Sequence, residues 1–203
     1  METYTLKEKR KHLFSFPVIV AALGYFVDIY DLLLFGIVRI PSLKDLKLDV
    51  DIAGTLILNY QMLGLLLGGV LWGILGDKKG RLSVLFGSIL VYSLANIACG
   101  FLPYFPFEDK TTTYALLRFV AGVGLAGELG AGITLVSEMM SKEKRGYGTM
   151  IIVTFGALGA VVASLVGAKG DAIGVIFESI SGIHFANWQV VYIVGGLMGL
   201  VLL

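Results

Sequence analysis

The sequence predicts an all-α, polytopic membrane helix bundle of six spans, and three observations carry that prediction. Composition is the first: of 203 residues, 57% are hydrophobic and only 15% are charged, with a mean hydropathy of +0.86, whereas a soluble chain keeps about a quarter of its residues charged. The second is where the charges fall. They leave apolar runs of about 20 residues or more, the length that crosses a ~30 Å hydrocarbon core at ~1.5 Å per helical residue. The third is glycine, 27 residues of it, gathered inside those runs, where small residues let helix backbones approach closely in lipid. The lipid bilayer is therefore the medium. A net charge of +1 with only short basic clusters sets nucleic acid aside as a partner. Cys99 stands alone, which excludes an intrachain disulfide and a thiol metal set.

The elements follow in order. Span one is about Phe14–Ile40, span two Ile52–Gly76, span three Leu82–Leu102, span four Thr112–Met140 and span five Tyr147–Ala168, each long enough to cross. Span six, from Trp188 to Leu203, is too short and lacks a basic or aromatic anchor at its far end. The expectation is a chain that continues beyond Leu203. The stretch 169–187 carries Lys169, Asp171, Glu178 and His184; it reads as an extracytoplasmic loop with room for a short interfacial helix.

Orientation comes from basic residues on alternate loops. Lys7, Lys9, Arg10, Lys11, Lys78, Lys79, Arg81, Lys142, Lys144 and Arg145 share one side, while the other holds fewer, diluted by Asp45, Asp49, Asp51, Glu108, Asp109, Asp171 and Glu178. The positive-inside rule places the amino terminus in the cytoplasm and the chain in a plasma membrane or bacterial inner membrane. Residues 1–15 are then a cytoplasmic tail that leads into a retained helix, and 16–203 the bundle.

Asp28 and Asp31 in span one, and Arg118 and Glu128 in span four, are ionisable groups inside spans. Each costs about 2.5–3.5 kcal/mol at mid-helix on insertion scales, so they require pairing or a wet cavity. Asp28 and Asp31 are three apart and share a helix face. Span four runs the opposite way, which brings Arg118 within reach of Asp31 and puts Glu128 near the midplane. A carboxylate beside Arg holds or releases its proton according to whether the pair is made, the chemistry of a proton switch. Asp28 and Glu128 have no second intramembrane cation. Gln61 and Asn96 read as interhelical hydrogen-bonding groups. The run Gly122-Val-Gly124-Leu-Ala-Gly127 spells a dinucleotide fingerprint, but that motif needs a strand before it and a turn; within an apolar helix it predicts close packing instead. The spans hold no nucleophile with a base, and His12 and His184 lie outside them, so an enzyme is not expected.

Two loops carry a family resemblance. Gly73-Ile-Leu-Gly-Asp77-Lys78-Lys79-Gly80-Arg81, between spans two and three, resembles the signature loop of the major facilitator superfamily. Arg118-Phe119, the glycines through Gly127, Glu128, then Ser137-Glu138 and Lys144-Arg145-Gly146 resemble the fourth helix and following loop of its sugar, phosphate and metabolite symporters. Trp188 also fits, with Gln189 where a basic residue is common. The resemblance implies one half of a twelve-helix fold built from two inverted three-helix repeats, with a carboxy-terminal half in the same chain. It also implies a cytoplasmic gate of Gly73, Asp77, Gly80, Arg81, Glu138 and Arg145, and a proton-coupling and substrate cluster of Asp28, Tyr30, Asp31, Arg118 and Glu128. Gly24-Tyr-Phe-Val-Asp28-Ile-Tyr30-Asp31 is similar to the first helix of phosphate:proton symporters, although Glu128-Leu129-Gly130 replaces their Asp, Tyr, Pro.

The expected function is secondary active symport of a small polar or anionic solute (organic acid, phosphate or sugar) by alternating access, driven by H+ with no resident cofactor or metal. Asp31 is the first choice for the proton. The alternatives are an uncoupled facilitator and a transporter-like receptor or half-transporter that partners another chain.

Overall fold

The computed structural model describes residues 16–139, 145–182 and 184–203. Six long helices make up almost all of it: α1 Phe16–Asp45, α2 Ile52–Lys79, α3 Arg81–Gly100, α4 Lys110–Met139, α5 Arg145–Ser181 and α6 Asn187–Val201, with a single 3-10 turn, Leu102–Tyr104, after α3. Among the described residues there is no strand, and α1, α2, α3 and α5 are each long and apolar enough to cross a membrane. This is a multi-pass membrane bundle.

Why the helices stop where they do is local chemistry. Gly80, at φ +88°, turns the chain between α2 and α3 and its N–H caps the Gly76 carbonyl at 3.0 Å; a residue with a Cβ is strained at that φ. Asp109 caps α4, its Oδ1 accepting from the Thr112 N–H at 3.0 Å. That hydrogen bond and one to the Thr112 hydroxyl hold the Asp109 carboxyl below its ordinary value. Asp49 serves the start of α2, accepting from Asp51 N–H (2.9 Å) and Ile52 N–H (2.7 Å).

One expectation is corrected. Residues 169–181 are not a loop: α5 runs unbroken to Ser181, 37 residues in all, about 55 Å of helix. Gly170 and Gly174 are buried, Ile173 and Phe177 partly so, while Asp171, Val175, Ile176 and Ser179 are exposed. That is a helical stripe, and it leans on the start of α6, Gly170 lying against Asn187 and Gly174 against Phe185 and Val190. Lys169 and Asp171 fall on the exposed side, so they do not end the helix.

Packing assigns the helices to two groups. α4 lies against α2 and α3, and α1 lies against α5 and α6; α3 against α6 and α1 against α4 join the groups. Exchanging helices one for four, two for five and three for six turns the α2–α4 packing into the α5–α1 packing, as two inverted three-helix repeats require. Direction agrees: α1 meets α4 antiparallel, with Asp31 opposite Arg118 and Gly24 opposite Glu128.

Glycine makes these seams. A Cβ at Gly68 would stand 2.6 Å from the Val123 carbonyl oxygen, one at Gly127 2.6 Å from Ser88 Cβ, and one at Gly156 2.5 Å from Tyr25 Cε1. Gly122, Gly124 and Gly127, which spell the dinucleotide fingerprint, are therefore contact points for α2 and α3. Trp72 Nε1 donates to the Val123 carbonyl at 2.6 Å across the same seam. At the opposite end Trp188, buried, donates from Nε1 to Asp45 Oδ2 at 2.9 Å and ties α6 to α1.

Candidate functional site

All four intramembrane charges sit on the α1–α4 seam between the two groups, and all are buried: Asp28 is 1% exposed, Asp31 and Arg118 0% and Glu128 3%. They are the bundle's interior, not its surface.

Asp31 and Arg118 form an ion pair, Oδ2 to Nη2 at 3.6 Å. That separation is beyond hydrogen-bond range, and neither atom has another partner. Asn96, on α3, completes the geometry. Its Nδ2 donates to Asp31 Oδ1 at 2.5 Å and its Oδ1 accepts from Arg118 Nη1 at 2.8 Å. Arg118 Nε donates to Gln61 Oε1 on α2 at 3.4 Å. The guanidinium is also held between two rings, 5.7 Å from the Phe35 centroid and 5.5 Å from that of Tyr192, contacts a buried cation uses in place of water. Tyr192 is fixed in turn by its hydroxyl, 2.7 Å from that of Tyr114, which lies 3.2 Å from Ser42 Oγ.

Asp28 and Glu128 form a second cluster one turn away on α1. Their carboxyl groups lie within interaction range of each other across the seam, and that of Glu128 rests against Gly24. Among the described residues neither carboxyl makes a hydrogen bond in good geometry or an ion pair. The buried Tyr92 hydroxyl on α3 also has no hydrogen-bond partner. Two carboxylates side by side in such surroundings repel each other and lack solvation, so the arrangement is tolerable only with a proton or cation between them.

Of the sequence-derived cluster, Asp28, Asp31, Arg118 and Glu128 are brought together on one seam. Tyr30 is not: it faces α6, donating to the Val191 carbonyl at 3.0 Å. Of the loop residues, Asp77, exposed, and Arg81, partly so, pair at 3.2 Å beside the Gly80 turn; Gly73 has open space where a Cβ would stand. The Glu138 and Arg145 side chains lie outside the described residues. Gln189, which stands where a basic residue is common in the superfamily, accepts from Ala186 N–H at 2.9 Å and donates to the Gly100 carbonyl at 2.7 Å, joining the start of α6 to the end of α3. Sequence reasoning had Gln61 and Asn96 as interhelical hydrogen-bonding groups but did not connect them to Arg118. It missed Phe35 and Tyr192, because an aromatic residue in an apolar helix carries no mark of what its face covers.

A buried line of charges between two inverted three-helix groups defines a membrane-transporter type of bundle. The Major Facilitator Superfamily model matches residues 21–203, and the chain belongs to that superfamily. The niacin transporter NiaP of Acinetobacter baylyi is 32% identical over 178 residues, covering 88% of this chain and 36% of that one. The benzoate transport protein of the same organism is 28% identical, covering 74% and 32%, and a probable inorganic phosphate transporter of Arabidopsis thaliana 29%, covering 73% and 29%. The chain spans about a third of the length of these relatives. A crystal structure of a bacterial homolog of the human lysosomal transporter Spinster superposes with a TM-score of 0.69 at 18% identity, over 91% of this chain and 42% of that one, which is a likeness of fold. These relatives are transporters, not enzymes.

Proposed function

We propose that this bundle is the amino-terminal half of a proton-coupled symporter that takes up a small organic anion by alternating access. The observation that carries the reading is the Asp28–Glu128 pair: two buried carboxyls, side by side, with no cation beside them among the described residues. A shared proton is the least costly occupant of such a site, and gaining or losing it changes the charge on the seam by one unit. Asp31, first choice from sequence, is the weaker candidate because Arg118 and Asn96 already hold its charge. The coupling ion is thus H+, with no resident cofactor.

Solute class follows from the named relatives. Niacin, benzoate and phosphate are all anions at neutral pH. The five cluster residues lie inside the bundle, so solute meets them from a path completed by a second six-helix body in the same chain. The exposed apolar flanks of α2 and α5, such as Leu66, Val70, Val161 and Leu165, suit such a neighbour or lipid. Orientation is cytoplasmic for the Asp77–Arg81 end in a plasma or bacterial inner membrane. There the exposed pair can exchange partners with Glu138 and Arg145 as the bundles rock.

The test is uptake of labelled nicotinate, benzoate and phosphate into proteoliposomes under imposed proton or sodium gradients. Concentrative uptake of a carboxylate that requires the proton gradient is expected. Uptake that only equilibrates, whatever the gradient, would make the protein a facilitator, and dependence on sodium would reassign the ion.

A further inference from the structure

We infer that Gly24 is a positioning residue for the proton site: the side chain it lacks is the space in which the Glu128 carboxyl lies beside Asp28. Its part in coupling rests on the function proposed above; its part in seating Glu128 does not.

Three placements carry the inference. A Cβ on Gly24 would have Glu128 Oε1, Cδ and Cγ as its three nearest atoms, the oxygen overlapping it and the carbons at 3.2 and 3.5 Å. Gly24 stands one turn before Asp28 on α1, and a helical side chain covers the turn on the amino-terminal side of its own Cα, so Asp28 leans back over the same spot. The two carboxyls, both buried, lie within interaction range of each other. Backbone geometry does not call for glycine here: Gly24 lies inside α1 with an ordinary helical φ, where alanine is the better helix former. Nor is it a seam glycine of the usual kind. Gly64, Gly68 and Gly159 have the backbone of a neighbouring helix against them, whereas Gly24 has one side chain, that of Glu128.

Filling the space acts locally. The end of a glutamate side chain can turn aside, so in Gly24→Ala the methyl displaces the carboxyl by about 1 Å to restore ordinary contact and the helices stay where they are. A proton shared by two carboxyls needs an O–H···O distance of about 2.5–3.0 Å, which a shift of that size breaks. The other titratable and charged groups around the pair are Asp31 and Arg118, one turn outward, and Tyr92 on α3. None of them is among the atoms nearest position 24.

The experiment compares the purified full chain as wild type, Gly24→Ala, Glu128→Asp and their double variant, with Gly36→Ala, which meets nothing within 4 Å, as control. Three quantities are read: the melting temperature, the infrared carbonyl band of a buried protonated carboxyl, assigned as the band that Asp28→Asn/Glu128→Gln removes, and transport of labelled nicotinate in proteoliposomes. Transport is measured both as accumulation under a proton gradient and as exchange at equilibrium. Gly24→Ala is expected to displace the band and to lose accumulation roughly ten- to a hundredfold while exchange stays within about twofold. Gly36→Ala changes none of these. The effect of Gly24→Ala on melting should be more favourable by at least about 2 °C in the Glu128→Asp background, where an acid one methylene shorter clears the methyl. An unmoved band or wild-type accumulation in Gly24→Ala overturns the inference and leaves Gly24 a packing residue only. If Gly24→Ala alone yields no folded protein, recovery in the double variant supports the seat and continued failure overturns it. A wild type that lacks the band, or whose uptake ignores the proton gradient, is instead the failure of the proton reading; the coupling role falls with it, and the melting comparison still decides whether Gly24 seats Glu128.

Discussion

Arg118→Leu removes the one cation among the four buried charges of the described residues, and the structure sets the size of the effect. The 3.6 Å separation from Asp31 corresponds to about 4–5 kcal/mol of Coulomb attraction at an effective dielectric of ~20. Removing one partner of a buried pair costs about 3–5 kcal/mol in measured cases, because the charge left behind has no compensation. The two routes agree, and the hydrogen bond to Asn96 and the ring contacts belong to the same network, so they are not added separately. A loss of about 4 kcal/mol lowers the melting temperature of a chain this size by roughly 10 °C or more. The informative comparison is the double variant Asp31→Leu/Arg118→Leu, which removes the stranded carboxylate as well. It should be more stable than Arg118→Leu, still short of wild type because the Asn96 amide loses both partners at about 1–3 kcal/mol. Chemical or thermal unfolding in detergent reads all three. A double variant no more stable than Arg118→Leu would mean that the arginine acts through packing and that the ion pair is incidental.

Three further outcomes are expected. Gly68→Leu forces a side chain into the Val123 backbone across the α2–α4 seam and should cost about 1–3 kcal/mol or prevent accumulation, whereas Gly69→Ala meets nothing within 4 Å and should be silent; unfolding of the two variants side by side checks this. Trp188→Phe deletes the donor to Asp45 Oδ2 and should lower stability by about 1.5–3 kcal/mol, with Asp45→Ala giving a non-additive double variant by the same assay. The cap at the start of α4 has a definite pH sign. Because folding holds the Asp109 carboxyl low, its contribution is complete above the ordinary carboxylate value and is lost as pH falls below it, so hydrogen exchange at the first turn of α4 should quicken in acid and Asp109→Ala should abolish that change.

The sequence made the spans legible because charge exclusion from lipid is a strong rule. Asp28, Asp31, Arg118 and Glu128 stand out in the letters for the same reason. What it concealed has physical causes. Residues 169–181 look like a loop to a count of polar residues, yet the buried or partly buried spacing of Gly170, Ile173, Gly174 and Phe177 was the helical signal, with the charges on the other face. Antiparallel packing of α1 on α4 allowed the Asp31–Arg118 pairing to be read in advance. Helix rotation could not be read, so the Asp28–Glu128 cluster, the turn of Tyr30 toward α6 and the amide bridge of Asn96 emerge only from the packed bundle.

The most direct measurement is simultaneous recording of solute uptake and proton entry in proteoliposomes, for wild type and for Asp28→Asn and Glu128→Gln. Wild type should admit protons with labelled nicotinate or benzoate, in fixed proportion. Each variant, with a carboxyl that can no longer release a proton, should lose gradient-driven accumulation by about tenfold or more while still exchanging solute across the membrane at equilibrium. Undiminished proton-coupled accumulation in both variants would contradict a proton carried by the Asp28–Glu128 pair.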